Sequence, residues 1–367
     1  MTKIKIKPWI LNLPEYIPGG TIEDIRKKYN LKEVYKLASN ENIFGPSPKV
    51  IEFFKAGFDD IKYYPDSYCR QLREKLSFKL GVDEESIIFG NGTDQVIEMV
   101  CDAILDNTKN IVIPDPTFLT YEKSALKNNA KVLKVPLLNY RQDVKSIVSS
   151  VNKDTAVIFL TSPHNPTGTI LTKEEFEYVL NNIKDDILIV LDEAYVEFMP
   201  EEDKIDSIKY LKQLNNLLVM RTFSKIYGIA GLRIGYGVGG KKLITNITKL
   251  MQPFVVNSIA QVAAIISLED EENINKNIEV IINERERLFK ILEKENITFI
   301  KSYSNFILVK TGDKSSEIIE ELLKNGFMVR GGEFLGFPGY IRFSISLPEI
   351  NEKFINLFIS LYKKYNN

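Results

Sequence analysis

The sequence predicts an α/β fold, with a large domain built on a mostly parallel sheet flanked by helices and a smaller α+β domain after it. Three observations predict this. Short, wholly apolar runs recur through the first two thirds of the chain, helix-like stretches separate them, and the texture changes beyond about residue 255. Strands that are apolar on both faces and alternate with helices belong to a parallel sheet covered on both sides. The length of 367 residues, at roughly 150 per domain, also points to two domains.

In order, residues 1–35 read as an arm, interrupted by Pro14, Pro18 and Gly19-Gly20. Helical patterns follow at 48–58, 67–80, 94–105, 120–128, 172–182 and 241–250. The runs read as buried strands are Ser86–Phe89, Asn110–Ile113, Val132–Val135, Ala156–Leu160, Ile187–Leu191, Leu217–Met220 and Ile234–Val238. One long amphipathic helix is expected over 275–295. After it come short strands at Thr298–Phe299, Phe306–Val309, Met328–Arg330 and Tyr340–Ser344, around helices at 314–325 and 349–364. The expected division is an arm at 1–35, a large domain at 36–255 and a small C-terminal domain at 256–367.

Composition excludes several classes. The formal net charge is −1, without the basic excess of a nucleic-acid binder. Two cysteines, Cys69 and Cys101, make no disulfide framework and fit a reducing compartment. With His164 as the one histidine they cannot furnish the usual zinc sites, so no metal is expected. A Ser-His-Asp hydrolase would have to use His164, which reads as a polar loop residue. No apolar run approaches the roughly 20 residues that span a bilayer, and the first residues lack a signal-peptide core. A cytoplasmic protein that binds neither membrane nor nucleic acid is expected.

The informative residues sit just past the expected strands, where open α/β sheets bind ligands. Gly90-Asn91-Gly92-Thr93-Asp94 is either a plain strand-to-helix turn or an anion site at a helix N-terminus. In the second case the Asp94 carboxylate would repel an anion, leaving the backbone and Thr93 to bind it. Asn165 precedes Pro166 in a Thr161–Gly168 turn, which holds its amide at a fixed angle. Asp192 closes a wholly apolar strand, so its carboxylate needs a donor or a cation, and Tyr195 lies three residues on. Lys225 follows another apolar strand beside the hydroxyls of Thr222 and Ser224; a desolvated lysine there can become a nucleophile. Arg233 lies between Gly231 and Gly235, which allow an anion to approach closely. Gly235-Tyr236-Gly237-Val238-Gly239-Gly240 matches the dinucleotide pattern G-x-G-x-x-G, but its glycines fall within a strand rather than before a helix, which argues against that use.

Together these residues describe one ligand, pyridoxal 5'-phosphate. The phosphate wants Gly92, Thr93, Asp94, Thr222, Ser224 and Arg233. The ring nitrogen wants Asp192, whose charge keeps it protonated and makes the ring an electron sink. The phenolic oxygen wants Asn165 and Tyr195. The aldehyde wants Lys225, as a Schiff base that the substrate amine displaces before Lys225 moves the Cα proton as general base and acid. Phe118, in Pro116-Thr117-Phe118, is the aromatic ring expected over the cofactor face.

On these residues the sequence resembles the class I/II, fold-type I pyridoxal-phosphate aminotransferases, and within them the branch acting on histidinol phosphate. The likeness runs from about residue 8 to the C-terminus. It rests on Leu37-Ala38-Ser39-Asn40-Glu41-Asn42 with Gly45-Pro46-Ser47-Pro48, Tyr64-Pro65-Asp66, Gly90–Asp94, Asn165–Gly168 and Asp192-Glu193-Ala194-Tyr195. Arg221–Lys225, Ala230–Arg233, Pro253-Phe254 with Asn257, and Ile341–Ser344 complete it. The resemblance implies a homodimer in which Tyr64 reaches the cofactor phosphate of the neighbouring subunit. It implies that the N-terminal arm packs on the small domain and on the partner. It also implies a substrate site of Arg342, Arg330, Tyr16 and Asn42, with Arg342 taking the anion of glutamate or 2-oxoglutarate and of histidinol phosphate in alternate half-reactions.

Four departures stand out. Ile43 replaces a frequent Pro, Phe118 a common Tyr and His164 a frequent Asn, and Gly331-Gly332-Glu333-Phe334 differs from the usual segment after Arg330. Other readings of the frame are an aminotransferase for aromatic or other amino acids, a threonine-phosphate decarboxylase and a non-catalytic ligand sensor. Against the sensor stand the retained Lys225 and the lack of a helix-turn-helix pattern in the first 35 residues.

Overall fold

The computed structural model describes residues 4–13 and 20–366. Its strands in chain order are β1 (Tyr35–Lys36), β2 (Ile87–Gly90), β3 (Asn110–Asp115), β4 (Lys131–Pro136), β5 (Thr155–Thr161), β6 (Leu188–Asp192), β7 (Leu217–Thr222) and β8 (Gly235–Gly239). Then come β9 (Phe299–Ile300), β10 (Phe306–Lys310), β11 (Phe327–Met328), β12 (Arg330–Gly331) and β13 (Tyr340–Ser344). Seven of them form the central sheet, in the order β2-β8-β7-β6-β5-β3-β4.

All pairings from β7 to β4 are parallel, whereas β8 runs antiparallel to both β2 and β7. Every residue of β5 and β6 is buried, as the unbroken apolar runs require. The expected boundaries of these seven strands fall within two residues of the observed ones. Parallel strands end at one edge, and an antiparallel strand begins there. The carboxyl ends of β2, β5, β6 and β7 and the start of β8 therefore share that edge. Thr161 is registered with Asp192, Asp192 with Met220, and Thr222 with Gly235.

A second sheet, β12-β13-β10-β9, is antiparallel and carries the helices Ser315–Lys324 and Pro348–Asn366. One hydrophobic cluster joins this sheet to the first. Phe306, Ile341, Phe343 and Phe354 pack in it with Leu37, Tyr195, Phe198 and Ile226. Residues 35–40 are tied to the second sheet: β1 pairs with β11, and Ser344 donates its backbone N–H to the carbonyl of Leu37. No helix of the described residues is long and apolar enough to cross a membrane.

Four local expectations need correction. The arm contains a helix, Ile22–Tyr29, started by a reciprocal cap between Thr21 and Asp24. Helices also form at Val144–Ser150, capped by Asp143, and at Ser258–Glu269, capped by Asn257. The last is apolar around most of its circumference, so it reads as an undifferentiated run rather than as an amphipathic helix. The long helix extends over Glu271–Lys294. The strand expected at Met328–Arg330 is two short strands with different partners, β11 on β1 and β12 on β13.

Candidate functional site

The shared edge of the central sheet gathers the residues marked in the sequence. β2 leads through Gly90 and Gly92 into the helix Thr93–Ile104, whose N-terminus has no side-chain cap bond. Its first N–H groups thus keep the donor character that attracts an anion. Gly92 adopts φ +79°, and a Cβ there would lie 2.5 Å from Arg233 Nη2. Arg233 itself has a left-handed backbone at φ 59°. It lies against this turn, donating to Asp94 at 3.2 Å and to Ser224 Oγ at 3.5 Å. Asp94, which alone would repel an anion, is therefore paired; it also accepts from Thr120 Oγ1 at 3.2 Å. Ser224 and Thr222 are buried at the end of β7, where Thr222 Oγ1 accepts from the Ser224 N–H.

Asp192 is buried at the end of β6. Its two donors are Tyr121, at 2.7 Å from Oδ2, and the Ala194 N–H, at 3.0 Å from Oδ1. Burial pushes its pKa up from 3.8 to about 6, against the pull of the Tyr121 hydrogen bond. A buried carboxyl in this condition gains most from a cationic partner. Lys225 is half-buried rather than fully desolvated: Nζ donates to the Ser39 carbonyl at 3.2 Å and lies 5.3 Å from the centre of the Tyr195 ring.

Tyr195 Oη accepts from Asn40 Nδ2 at 3.1 Å and from Asn165 Nδ2 at 3.4 Å. Asn165 in turn accepts from Arg342 Nη1 at 2.6 Å. Arg342 is buried on β13; it also donates to the Ala38 carbonyl at 2.9 Å and lies over Phe306. Arg330 stands opposite Arg342 in the β12–β13 ladder, with its guanidinium 4.8 Å from the Phe334 ring centre. Two arginines facing one another on adjacent strands favour an anion between them.

The other marked residues lie as follows. Phe118 is half-buried and meets Tyr121 edge to face at 5.6 Å. Asn42 is buried: it donates to the Ile226 carbonyl at 2.6 Å and accepts from the Phe44 N–H, tying its own loop to the residue after Lys225. Tyr64 is 81% exposed and stacks on Phe254 at 4.5 Å. Tyr16 lies outside the described residues. His164 is a polar residue of its loop, as expected. It is fully buried, bonded through Nδ1 to Thr167, and desolvation lowers its pKa to about 3, so it is a neutral part of the turn. The glycines at 235, 237 and 239 lie in β8, and a Cβ on Gly235 would meet the Thr93 N–H at 2.6 Å. Among the described residues, no group of His, Cys, Asp and Glu could hold a metal.

The sequence reading missed Tyr121, and it gave no role to Asn40, Ser39 or the pair Arg221–Glu193, although these lie in the segments that carry the resemblance. Tyr121 sits three residues after Phe118 at the head of the helix Leu119–Lys127, so the two rings face the same way. Arg221 donates to Glu193 at 2.8 Å within the sheet, fixing the ends of β6 and β7 against each other.

The comparisons with known proteins are consistent. A family model described as "Aminotransferase class I and II" matches residues 32–356. A histidinol-phosphate aminotransferase of Geobacillus sp. (strain WCH70) is 37% identical, over 98% of this chain and 99% of its own. One from Halalkalibacterium halodurans is 38% identical, over 95% of each chain. Among solved structures, the histidinol-phosphate aminotransferase from Sinorhizobium meliloti, in complex with pyridoxal-5'-phosphate, superimposes with a TM-score of 0.89. It is 24% identical and covers 98% of both chains.

Proposed function

The chain belongs to the class I and II aminotransferases, and on that premise we propose that it exchanges an amino group between L-histidinol phosphate and 2-oxoglutarate, giving imidazole-acetol phosphate and L-glutamate, in histidine biosynthesis. Relatives named for this activity at 37–38% identity over nearly the full length support the substrate. The observation that carries the reading is the convergence of Lys225, Asp192, Tyr195 and Asn165 on one sheet edge, with Arg233 beside the uncapped helix and Arg342 bonded to Asn165.

The cofactor is pyridoxal 5'-phosphate, and the residues present fit it. The cradle at Gly92 is one that a Cβ would fill, and the raised pKa of Asp192 suits a carboxyl waiting for a cationic ring nitrogen. When bound, the cofactor supplies an aldehyde that takes up the amino group and a protonated ring that withdraws electrons from the substrate Cα. Arg233, Thr222, Ser224 and the N–H groups of Gly92 and Thr93 hold its phosphate, with Asp94 orienting Arg233. Asp192, backed by Tyr121, holds the ring nitrogen. Tyr195 and Asn165 serve the phenolic oxygen, and Phe118 covers the ring face. Lys225, whose amine the Ser39 carbonyl orients, would anchor the aldehyde carbon and would carry the proton at the substrate Cα.

Arg342, with Arg330 opposite it in the ladder, is read as the substrate anion site, to which the resemblance adds Asn42 and Tyr16. Glutamate and histidinol phosphate enter in turn, and both present an anion that a guanidinium holds with two parallel bonds. The enzyme is read as a cytoplasmic homodimer. Two buried free thiols, Cys69 and Cys101, support a reducing compartment. An exposed Tyr64 stacked on Phe254 supports a role in the neighbouring subunit's site.

The test is a single half-reaction. The yellow holoenzyme mixed with histidinol phosphate, without an amino acceptor, should lose its visible band and yield the aminated cofactor. A persistent band would overturn the substrate, leaving aromatic amino acids and threonine phosphate to be tried. Protein that stays colourless with added pyridoxal phosphate would overturn the cofactor site.

A further inference from the structure

Asn40 has no part in the site described so far except as a neighbour of Tyr195, yet all four of its polar groups are engaged. It is buried, with a left-handed backbone at φ 58°, a conformation that asparagine tolerates better than most residues. Its N–H donates to Ser344 Oγ at 2.9 Å and its carbonyl accepts from Asn305 Nδ2 at 3.1 Å. Its side-chain Oδ1 accepts from Ser344 Oγ at 3.3 Å, and its Nδ2 donates to Tyr195 Oη at 3.1 Å. Ser344 lies two residues after Arg342 on β13, so both project from the same face of that strand. Arg342, Asn165, Tyr195, Asn40 and Ser344 thus form a chain of hydrogen bonds that begins and ends on one strand.

We infer that Asn40, oriented by Ser344, is a positioning residue that fixes the direction of the Tyr195 hydroxyl hydrogen. A phenol oxygen offers two lone pairs and one hydrogen. Arg342 has only donors, so Asn165 must turn its oxygen to Arg342 and its NH2 to Tyr195. Ser344 Oγ takes the Asn40 N–H as acceptor and shares its one hydrogen between the Leu37 carbonyl at 3.1 Å and Asn40 Oδ1 at 3.3 Å, which leaves the Asn40 NH2 for Tyr195. Both lone pairs of Tyr195 are then occupied by amide donors, and the hydrogen is left for a third direction. The inference rests on the reading above, in which that direction meets the phenolic oxygen of the cofactor. The charged or titratable groups about this tyrosine are Lys225, over the ring, Arg342, through Asn165, and Tyr121, which interacts with it electrostatically and donates to Asp192.

The experiment reads the pH midpoint at which the visible absorption of the cofactor-loaded enzyme changes. Tyr195→Phe removes the donor and should raise the midpoint by about one pH unit, the scale of one hydrogen bond to a charged oxygen. Asn40→Asp keeps the side-chain shape but puts an acceptor where Tyr195 met a donor. The hydroxyl hydrogen should turn to the new carboxylate, and the midpoint should rise by a similar amount. In the Tyr195→Phe background the same substitution should add nothing. Ser344→Ala frees the Asn40 amide to turn and should give a smaller rise, which keeps the inference testable if Asn40→Asp does not fold.

Three results would overturn it. An unchanged midpoint in both Asn40→Asp and Ser344→Ala would show that Asn40 does not set the hydroxyl. A rise that persists undiminished in the Tyr195→Phe background would be a bare charge effect. An unchanged midpoint in Tyr195→Phe would remove the role of Tyr195 itself, and with it that part of the proposed cofactor site.

Discussion

Tyr121 donates to Asp192 at 2.7 Å while its ring lies flat on Phe159, with centroids 4.6 Å apart and an interplanar angle of 12°. The tyrosine is fully buried, so the carboxylate it supports is held by packing as well as by a hydrogen bond.

A stability profile follows from this pair. In the cofactor-free protein the Asp192 carboxyl titrates near 6, against 3.8 when unfolded. A raised pKa means that the folded state holds the proton longer. Its contribution is full below about pH 4 and is lost as pH rises through about 6, by ~3 kcal/mol at most at ~1.4 kcal/mol per pH unit. Thermal unfolding of cofactor-free wild type and Asp192→Asn should therefore show wild type losing ground to the variant between pH 4 and 6. A constant difference would contradict a strained, buried carboxylate. Tyr121→Phe should push the loss to higher pH, because its donor steadies the charged form.

Lys225 separates chemistry from folding. In the cofactor-free chain its amine makes one hydrogen bond, to the Ser39 carbonyl. Lys225→Ala should cut kcat by about 10³-fold or more, the upper range for a lost proton-transfer group, with thermal stability nearly unchanged. Turnover near wild type would end the proposed mechanism.

Arg342 should weaken both substrates together. Arg342→Lys keeps the charge but loses the fork that reaches Asn165 and Ala38. Steady-state kinetics should show kcat/KM falling roughly 10- to 100-fold for glutamate and for histidinol phosphate alike. A loss confined to one of them would mean two anion sites rather than one.

Gly92→Ala tests the cradle. The new methyl would strike Arg233 Nη2 at 2.5 Å, in a backbone conformation at φ +79° that alanine resists. Equilibrium titration with pyridoxal phosphate should give a Kd at least about 10-fold higher, from a displaced charged donor. Unchanged affinity would place the phosphate elsewhere.

Tyr64 and Lys225 can be tested against each other. If Tyr64 completes the neighbouring subunit's site, mixed dimers of Tyr64→Ala and Lys225→Ala contain one intact site each. Activity should then rise on mixing the two variants towards about a quarter of wild type. No rise, with mixed dimers verified by mass, would confine Tyr64 to its own subunit.

Much of the fold was legible because it depends on short-range pattern. Unbroken apolar runs such as Ile187–Leu191 have one use in a chain of this kind, and β6 lies there. Capped segments without a clean stripe were not legible: Ser258–Glu269 is apolar on most sides, and the arm helix Ile22–Tyr29 carries one buried residue, Ile25. Residues that carry unusual chemistry at strand ends, such as Asp192, Lys225 and Arg233, stand out in the sequence. Their supports do not. Tyr121 reads as an ordinary helix residue, and Asn40 meets Tyr195 across 155 positions, a distance that no local pattern spans. His164 reads as a polar loop residue and lies in that loop, but nothing in its neighbours shows that tertiary packing excludes water from it.

The reversed direction of β8 has an outcome of its own. Most of the marked residues that line the edge stand after a strand, but Arg233 stands just before one, so a single crossing joins β7 to β8 with only the 3-10 turn Ala230–Leu232 between them. That crossing carries both Lys225 and Arg233, and the β7–β8 ladder clamps it at each end through Thr222 and Gly235. The proposed covalent anchor and the proposed phosphate grip are thus one mechanical part. A push on either is felt by the other through a short span of backbone, and a graft of this reactive centre into another scaffold should take the whole crossing rather than its two residues.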